Sequence, residues 1–205
     1  MFRSRIFLPC MLAVFLTGCQ SAKKSSVRAC CQIALAPAPA ATGKTFLESD
    51  SVWQDDHGKN FRFAELRGQP AVIAMFFASC EGVCVITRND MQAVEASLPA
   101  PLRERTVFIL VTLAPDRDTA AVLNQYRIEN GLSEKRWRLL RGSAAATAAV
   151  AAQLGVGYGR DASGLFRHSS EITVLDDMGK IVQQQDGIHA DLAATVKVLA
   201  AAEKN

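Results

Sequence analysis

The chain has 205 residues, 49% of them hydrophobic, and carries a formal net charge of +3. No strongly basic face is built from that balance, which excludes phosphate-driven binding of nucleic acid. Of its six cysteines, the four beyond residue 19, Cys30, Cys31, Cys80 and Cys84, are too few for a disulfide scaffold.

Arg3 and Arg5 precede an apolar stretch over residues 6–16, the pattern of an export signal. The stretch is too short to span a bilayer, for which about 20 apolar residues are needed. It ends in Leu16-Thr17-Gly18-Cys19, which resembles the lipobox of bacterial lipoproteins. That resemblance implies that residues 1–18 are a signal peptide, that lipid is attached to Cys19, and that the protein is held on a bacterial membrane facing the periplasm. Cys10 and two arginines leave with such a signal, so the mature formal charge falls to +1. Residues 19–45 are rich in Ala, Pro, Ser and Lys, without an apolar period that could bury a face. They read as a flexible tether with a root-mean-square reach of about 25–30 Å. Residues 46–205 are long enough for one domain with a real core.

Within that domain a hairpin is expected to turn at Asp55-Asp56-His57-Gly58. Residues 71–77 and 107–111 are apolar without alternation, as strands buried on both faces are. Residues 84–97 between them read as a helix, giving a strand–helix–strand unit. Asp118 and Thr119 are placed to cap a helix running to about residue 130, and Ser143 an alanine-rich helix that stops near Gly155. Residues 171–175 and 180–184 flank Asp176-Asp177-Met178-Gly179, a second hairpin signal. A last helix begins near Ala190, with Leu192, Val196 and Leu199 on one face. Alternating strands and helices predict an α/β layer fold.

Cys80 and Cys84 fall at the first strand-to-helix junction, where α/β sheets usually place ligands. On the first turns of a helix, residues four apart share a face, so both sulfurs would project together. The helix N-terminus favours thiolate over thiol, whereas Glu81 adds opposing negative charge. The spacing supports three readings: a structural disulfide, a redox pair, or two ligands of a soft metal. Thioredoxin-like redox motifs have two intervening residues, and this chain has three, Glu81, Gly82 and Val83. A third metal donor could come from His57 in a hairpin turn, from His189 before the last helix, or from His168 at the mouth of a strand. By composition alone each reads as a solvated or structural histidine.

Cys80-Glu81-Gly82-Val83-Cys84 with Thr87, Pro115-Asp116-Arg117-Asp118-Thr119, and His168-Ser169 followed by Val174-Leu175-Asp176 and Gly179 occur together in that order. Tyr126 and Gly155-Val156-Gly157-Tyr158 fit the same pattern, which resembles the Sco/SenC family. The resemblance covers about residues 46–187 and implies a thioredoxin-like fold, a central sheet flanked by helices and preceded by an N-terminal β-hairpin. It implies copper bound by Cys80, Cys84 and His168, and a role in assembling the binuclear copper centre of cytochrome c oxidase, whose copper-binding subunit, or another envelope cuproprotein, would be the partner. Some members of the family reduce disulfides with the same pair, so a thiol-disulfide oxidoreductase of the cell envelope using Cys80 and Cys84 is the alternative. A thioredoxin-like module whose disulfide merely locks a loop is the blandest reading.

Four positions depart from the family pattern. Glu81 and Val85 stand where proline usually follows each cysteine, Ala114 where an aspartate precedes Pro115, and Arg167 where an acidic residue precedes the histidine. An arginine beside the imidazole favours its neutral, metal-binding form. Cys30 and Cys31 in the tether read as spare thiols, or as a pair that could pass electrons or copper to the Cys80/Cys84 site.

Overall fold

A computed structural model of the chain describes residues 45–160, 166–188 and 190–202. Cys10, Cys19, Cys30, Cys31 and His189, and with them the expected signal, lipidation site and most of the tether, lie outside the described residues. Among the described residues no helix is long and apolar enough to cross a membrane.

After a 3-10 turn at Phe46–Glu48, the strands β1 (Trp53–Asp55) and β2 (Asn60–Phe61) form the expected antiparallel hairpin. Asp55 Oδ1 accepts from the His57 and Lys59 N–H groups, at 3.0 and 2.8 Å, and Gly58 takes a φ of 79° that most residues avoid. The chain continues through β3 (Ala71–Phe76), α1 (Val83–Ser97), α2 (Ala100–Arg105), β4 (Val107–Thr112) and α3 (Ala120–Glu129). It then forms β5 (Trp137–Arg141), α4 (Ala144–Gln153), the pair β6 (Tyr158–Arg160) and β7 (Phe166–His168), β8 (Glu171–Leu175), β9 (Ile181–Asp186) and α5 (Leu192–Ala202).

The main sheet runs β2-β1-β5-β4-β3-β8-β9. Its central strands β3, β4 and β5 are parallel, and β1 and β8 join them antiparallel. The non-alternating runs seen in the sequence are explained by this position, because β3 and β4 are buried along their whole length. Ile73, Met75, Ile109 and Val111 face a core shared with Trp53, Phe63 and Val150 of α4. Val72, Ala74, Phe108 and Leu110 face a second core formed with Met91 and Val94 of α1, Leu123 of α3 and Leu199 of α5. Helices thus flank a central sheet that a β-hairpin precedes, the thioredoxin-like arrangement that the family resemblance implied.

Several details differ from the sequence expectations. Helix α1 begins at Val83, so Cys80 lies ahead of it. Gly82, the residue before the helix, has φ −112° and ψ −119°, a backbone conformation that stops the helix from extending back to Cys80. Thr119 alone caps α3, accepting from the Val122 N–H at 3.3 Å, while Asp118 turns inward to other partners. Ser143 caps α4 as expected, accepting from the Ala146 N–H at 3.1 Å. Strand β5, helix α2 and the β6–β7 pair were not anticipated.

Candidate metal centre

Cys84 sits on the first turn of α1 and Cys80 in the loop that leaves β3, where the Cys80 N–H donates to the Phe77 carbonyl at 3.1 Å. Burial follows from this placement. Cys84 lies in the core beneath α1, with Met91 and Val94 farther along the same helix, whereas Cys80 is only partly covered. Both are free thiols.

His168 closes β7, where it pairs with Tyr158, and its ring comes to the cysteines from the far side of the sequence. Its Nε2 lies 3.0 Å from Cys84 Sγ and its Nδ1 2.7 Å from the Ser169 carbonyl. A carbonyl only accepts, so Nδ1 carries the proton and Nε2 presents its lone pair to the sulfur. The Phe77 ring meets the imidazole edge-on, with centroids 5.6 Å apart. One ligand atom from each of Cys80, Cys84 and His168 lies within 4.8 Å of the others. His57 is elsewhere, in the β1–β2 turn, with Nε2 3.7 Å from Asp56 Oδ2.

Electrostatics favour the neutral forms. Burial, then the hydrogen bond with Cys80, pushes the Cys84 thiol well above its ordinary range. The helix-dipole argument, which favoured thiolate, is outweighed at this position by loss of water. Burial also lowers the His168 imidazole against the opposing pull of the Ser169 carbonyl, so it is held neutral. The reason differs from the one read in Arg167, whose side chain lies outside the described residues.

The loop carrying Cys80 is tied down by Asp118. Its Oδ2 accepts from the Ala78 N–H at 3.0 Å and from the Thr112 hydroxyl, and Thr112 Oγ1 accepts from the Ala114 N–H at 2.9 Å. Asp118 is buried, and a cap-like position in the sequence concealed this role. The Tyr126 ring packs tilted against Phe76, with centroids 5.1 Å apart, and its hydroxyl pKa is raised mainly by burial, against the Arg88 hydrogen bond and charge. A cleft of about 310 Å³ opens beside the site, lined by Phe77, Ala114, Pro115, Arg117 and Tyr158.

Two thiols and a neutral imidazole converging from a loop, a helix start and a strand end form a soft donor set on a thioredoxin-like scaffold. That combination defines a class of protein suited to dithiol or thiophilic-metal chemistry. The SCO1/SenC family model matches residues 40–202, and the chain belongs to that family. A Stutzerimonas stutzeri protein with a copper-binding name is 31% identical over 72 residues, which make up 35% of each chain. The chain therefore spans about a third of that relative's length. Among solved structures, a SCO1/SenC family lipoprotein from Bacillus anthracis aligns with a TM-score of 0.68 at 19% identity, covering 78% of this chain and 94% of that one. Bradyrhizobium japonicum ScoI with copper bound aligns with a TM-score of 0.62 at 20% identity, covering 74% and 96%. At these identities the structures establish a shared fold.

Proposed function

We propose that the chain is a copper-binding protein of the SCO1/SenC type, in which the thiolates of Cys80 and Cys84 and Nε2 of His168 hold the ion. The observation that carries this reading is the approach of the unprotonated His168 Nε2 to Cys84 Sγ at 3.0 Å, with Nδ1 engaged by Ser169. A metal-ligating imidazole commonly has its second nitrogen tied in this way, which fixes the tautomer and the ring orientation. Two sulfurs and one nitrogen suit copper among the biological metals. Both thiols give up protons when they become ligands, and at Cys84 the displaced proton is one that burial otherwise keeps in place.

Family membership supports copper delivery to, or preparation of, the binuclear copper site of cytochrome c oxidase. The partner would be the oxidase copper-binding subunit or another envelope cuproprotein. Residues 1–18 serve as signal peptide, lipid on Cys19 anchors the chain at the periplasmic side of a bacterial membrane, residues 19–45 form the tether and residues 46–205 the working domain. The tether's reach of about 25–30 Å brings the copper site to membrane-embedded partners.

A copper competition titration on the parent chain and on Cys80→Ser, Cys84→Ser and His168→Ala tests the reading, with the dithiol reduction potential measured alongside. Stoichiometric copper in the parent, weakened in all three variants, is the expected result. The hydrogen bond between Cys80 and Cys84 favours a second reading, a thiol-disulfide oxidoreductase. In that reaction the two thiols become a disulfide while a client disulfide takes up the two electrons and two protons. Essential cysteines with a dispensable His168 would select it.

A further inference from the structure

Cys84 and His168 are 84 positions apart in the chain, so the span between them depends on how α1 is fastened to the segment that follows β7. One helical turn along from Cys84, Thr87 Oγ1 lies 2.5 Å from Ser170 Oγ, 3.1 Å from the Val83 carbonyl and 3.3 Å from the Gly187 carbonyl. The Ser170 carbonyl accepts from the Gly187 N–H at 2.9 Å. Thr87, Ser170 and Gly187 are all buried. A Cβ at Gly187 would stand 2.5 Å from Ser170 Oγ and 2.9 Å from Thr87 Oγ1, so only glycine lets the two hydroxyls and the backbone meet.

The proton count is closed. Thr87 has one hydroxyl proton to give to a carbonyl, of Val83 or of Gly187, and its oxygen then accepts from Ser170. Removing the Thr87 hydroxyl strands the Ser170 donor in a buried position. Between His168 and Ser170, Ser169 donates its N–H to the Gly157 carbonyl at 2.9 Å and accepts at Oγ from the Gly157 N–H at 3.2 Å. The imidazole therefore hangs from a short segment fixed at both Ser169 and Ser170.

We infer that Thr87, Ser170 and Gly187 form a clamp that sets the separation of Cys84 and His168, and so decides whether the imidazole joins the two sulfurs around one ion. The inference rests on the copper reading above. These are positioning residues, acting through α1 on one side and through the His168 segment on the other. A donor held an ångström too loosely leaves a two-sulfur site with a different affinity and a different spectrum.

The test is a copper competition titration on the parent, Thr87→Val, Thr87→Ser and Ser170→Ala, with the valine and alanine changes repeated in a His168→Ala background. Electron paramagnetic resonance of the copper(II) forms reads imidazole nitrogen coupling. Thr87→Val keeps the side-chain shape and loses the hydroxyl. It is expected to lower affinity about 10-fold to 100-fold and to lose the nitrogen coupling, while Thr87→Ser retains both. In the His168→Ala background Thr87→Val should cost nothing more. Unchanged coupling and affinity in Thr87→Val, or an equal loss with and without His168, would overturn the clamp. If Thr87→Val does not fold, Ser170→Ala carries the same comparison. A parent chain that takes no copper defeats the functional reading by itself, and the clamp is then read in the metal-free protein from the nitrogen NMR shifts of His168. Loss of the Nε2 acceptor signature in Thr87→Val supports the clamp, and an unchanged signature overturns it.

Discussion

At the residue scale, Asp56 is a buried charge outside the cysteine site. Arg127 grips it with two donors, Nε at 2.5 Å and Nη2 at 2.6 Å, and both side chains are almost completely buried. Burial pushes the Asp56 carboxyl upward, but the Arg127 hydrogen bond and charge outweigh it and hold the group below the ordinary carboxylate range. A depressed folded value means that the unfolded chain binds the proton first as pH falls. The pair's contribution is therefore complete above the unfolded value near 4 and is lost as pH drops through the lower folded one. Urea midpoints recorded from neutral pH downward should fall across that window in the parent and stay flatter in Asp56→Asn. At neutral pH the same substitution should cost about 3–5 kcal/mol, because it leaves Arg127 buried without its counter-charge. A midpoint for Asp56→Asn equal to the parent's would show that the pair is not stabilising.

At the element scale, the loop between β3 and α1 owes its course to one carboxylate borrowed from the loop after β4. Asp118→Ala would leave the partly buried Ala78 N–H and the buried Thr112 hydroxyl without their acceptor, a loss of about 1–3 kcal/mol. Cys80 should then be alkylated faster than in the parent, as measured with a thiol reagent in the metal-free protein. An unchanged rate would mean that the loop holds itself. The turn between β5 and α4 makes a different demand. A Cβ on Gly142 would lie 2.6 Å from the fully buried Trp53 ring. Gly142→Ala should therefore lower the urea midpoint by the equivalent of about 1–3 kcal/mol through overpacking. These two cases mark what could be read from residue order. Strands β3 and β4 were legible because a centre strand needs an unbroken apolar run, and the two hairpins were legible from their Asp and Gly turns. Strand β5 was hidden by Arg138 and Arg141, whose heads leave the strand for the Glu134 and Pro115 carbonyls. The β6–β7 pair is only three residues on each side, too short for any period. Asp118 looked like a cap because capping depends on local position, whereas its real partners are 40 and 6 residues away.

At the scale of the whole molecule, copper bound only by the folded chain must raise its stability. Free copper at 100 times the dissociation constant adds about 2.7 kcal/mol. For a domain of this size that corresponds to a rise of about 5–10 °C in Tm. Scanning calorimetry should record the rise in the parent and a much smaller one in Cys84→Ser; equal shifts in the two would place the metal elsewhere. The cysteine spacing was legible because its members are near neighbours in sequence, and His168 was singled out by the family pattern. The 3.0 Å approach of His168 to Cys84 could be known only once β3 and β8 were paired. That long-range closure has a consequence for how the protein handles metal over its lifetime. An unfolded chain does not hold His168 beside Cys80 and Cys84, so on the copper reading the three-donor site exists only once the two ends of that 84-residue span have met. On that reading, loading at the full donor set is tied to folding.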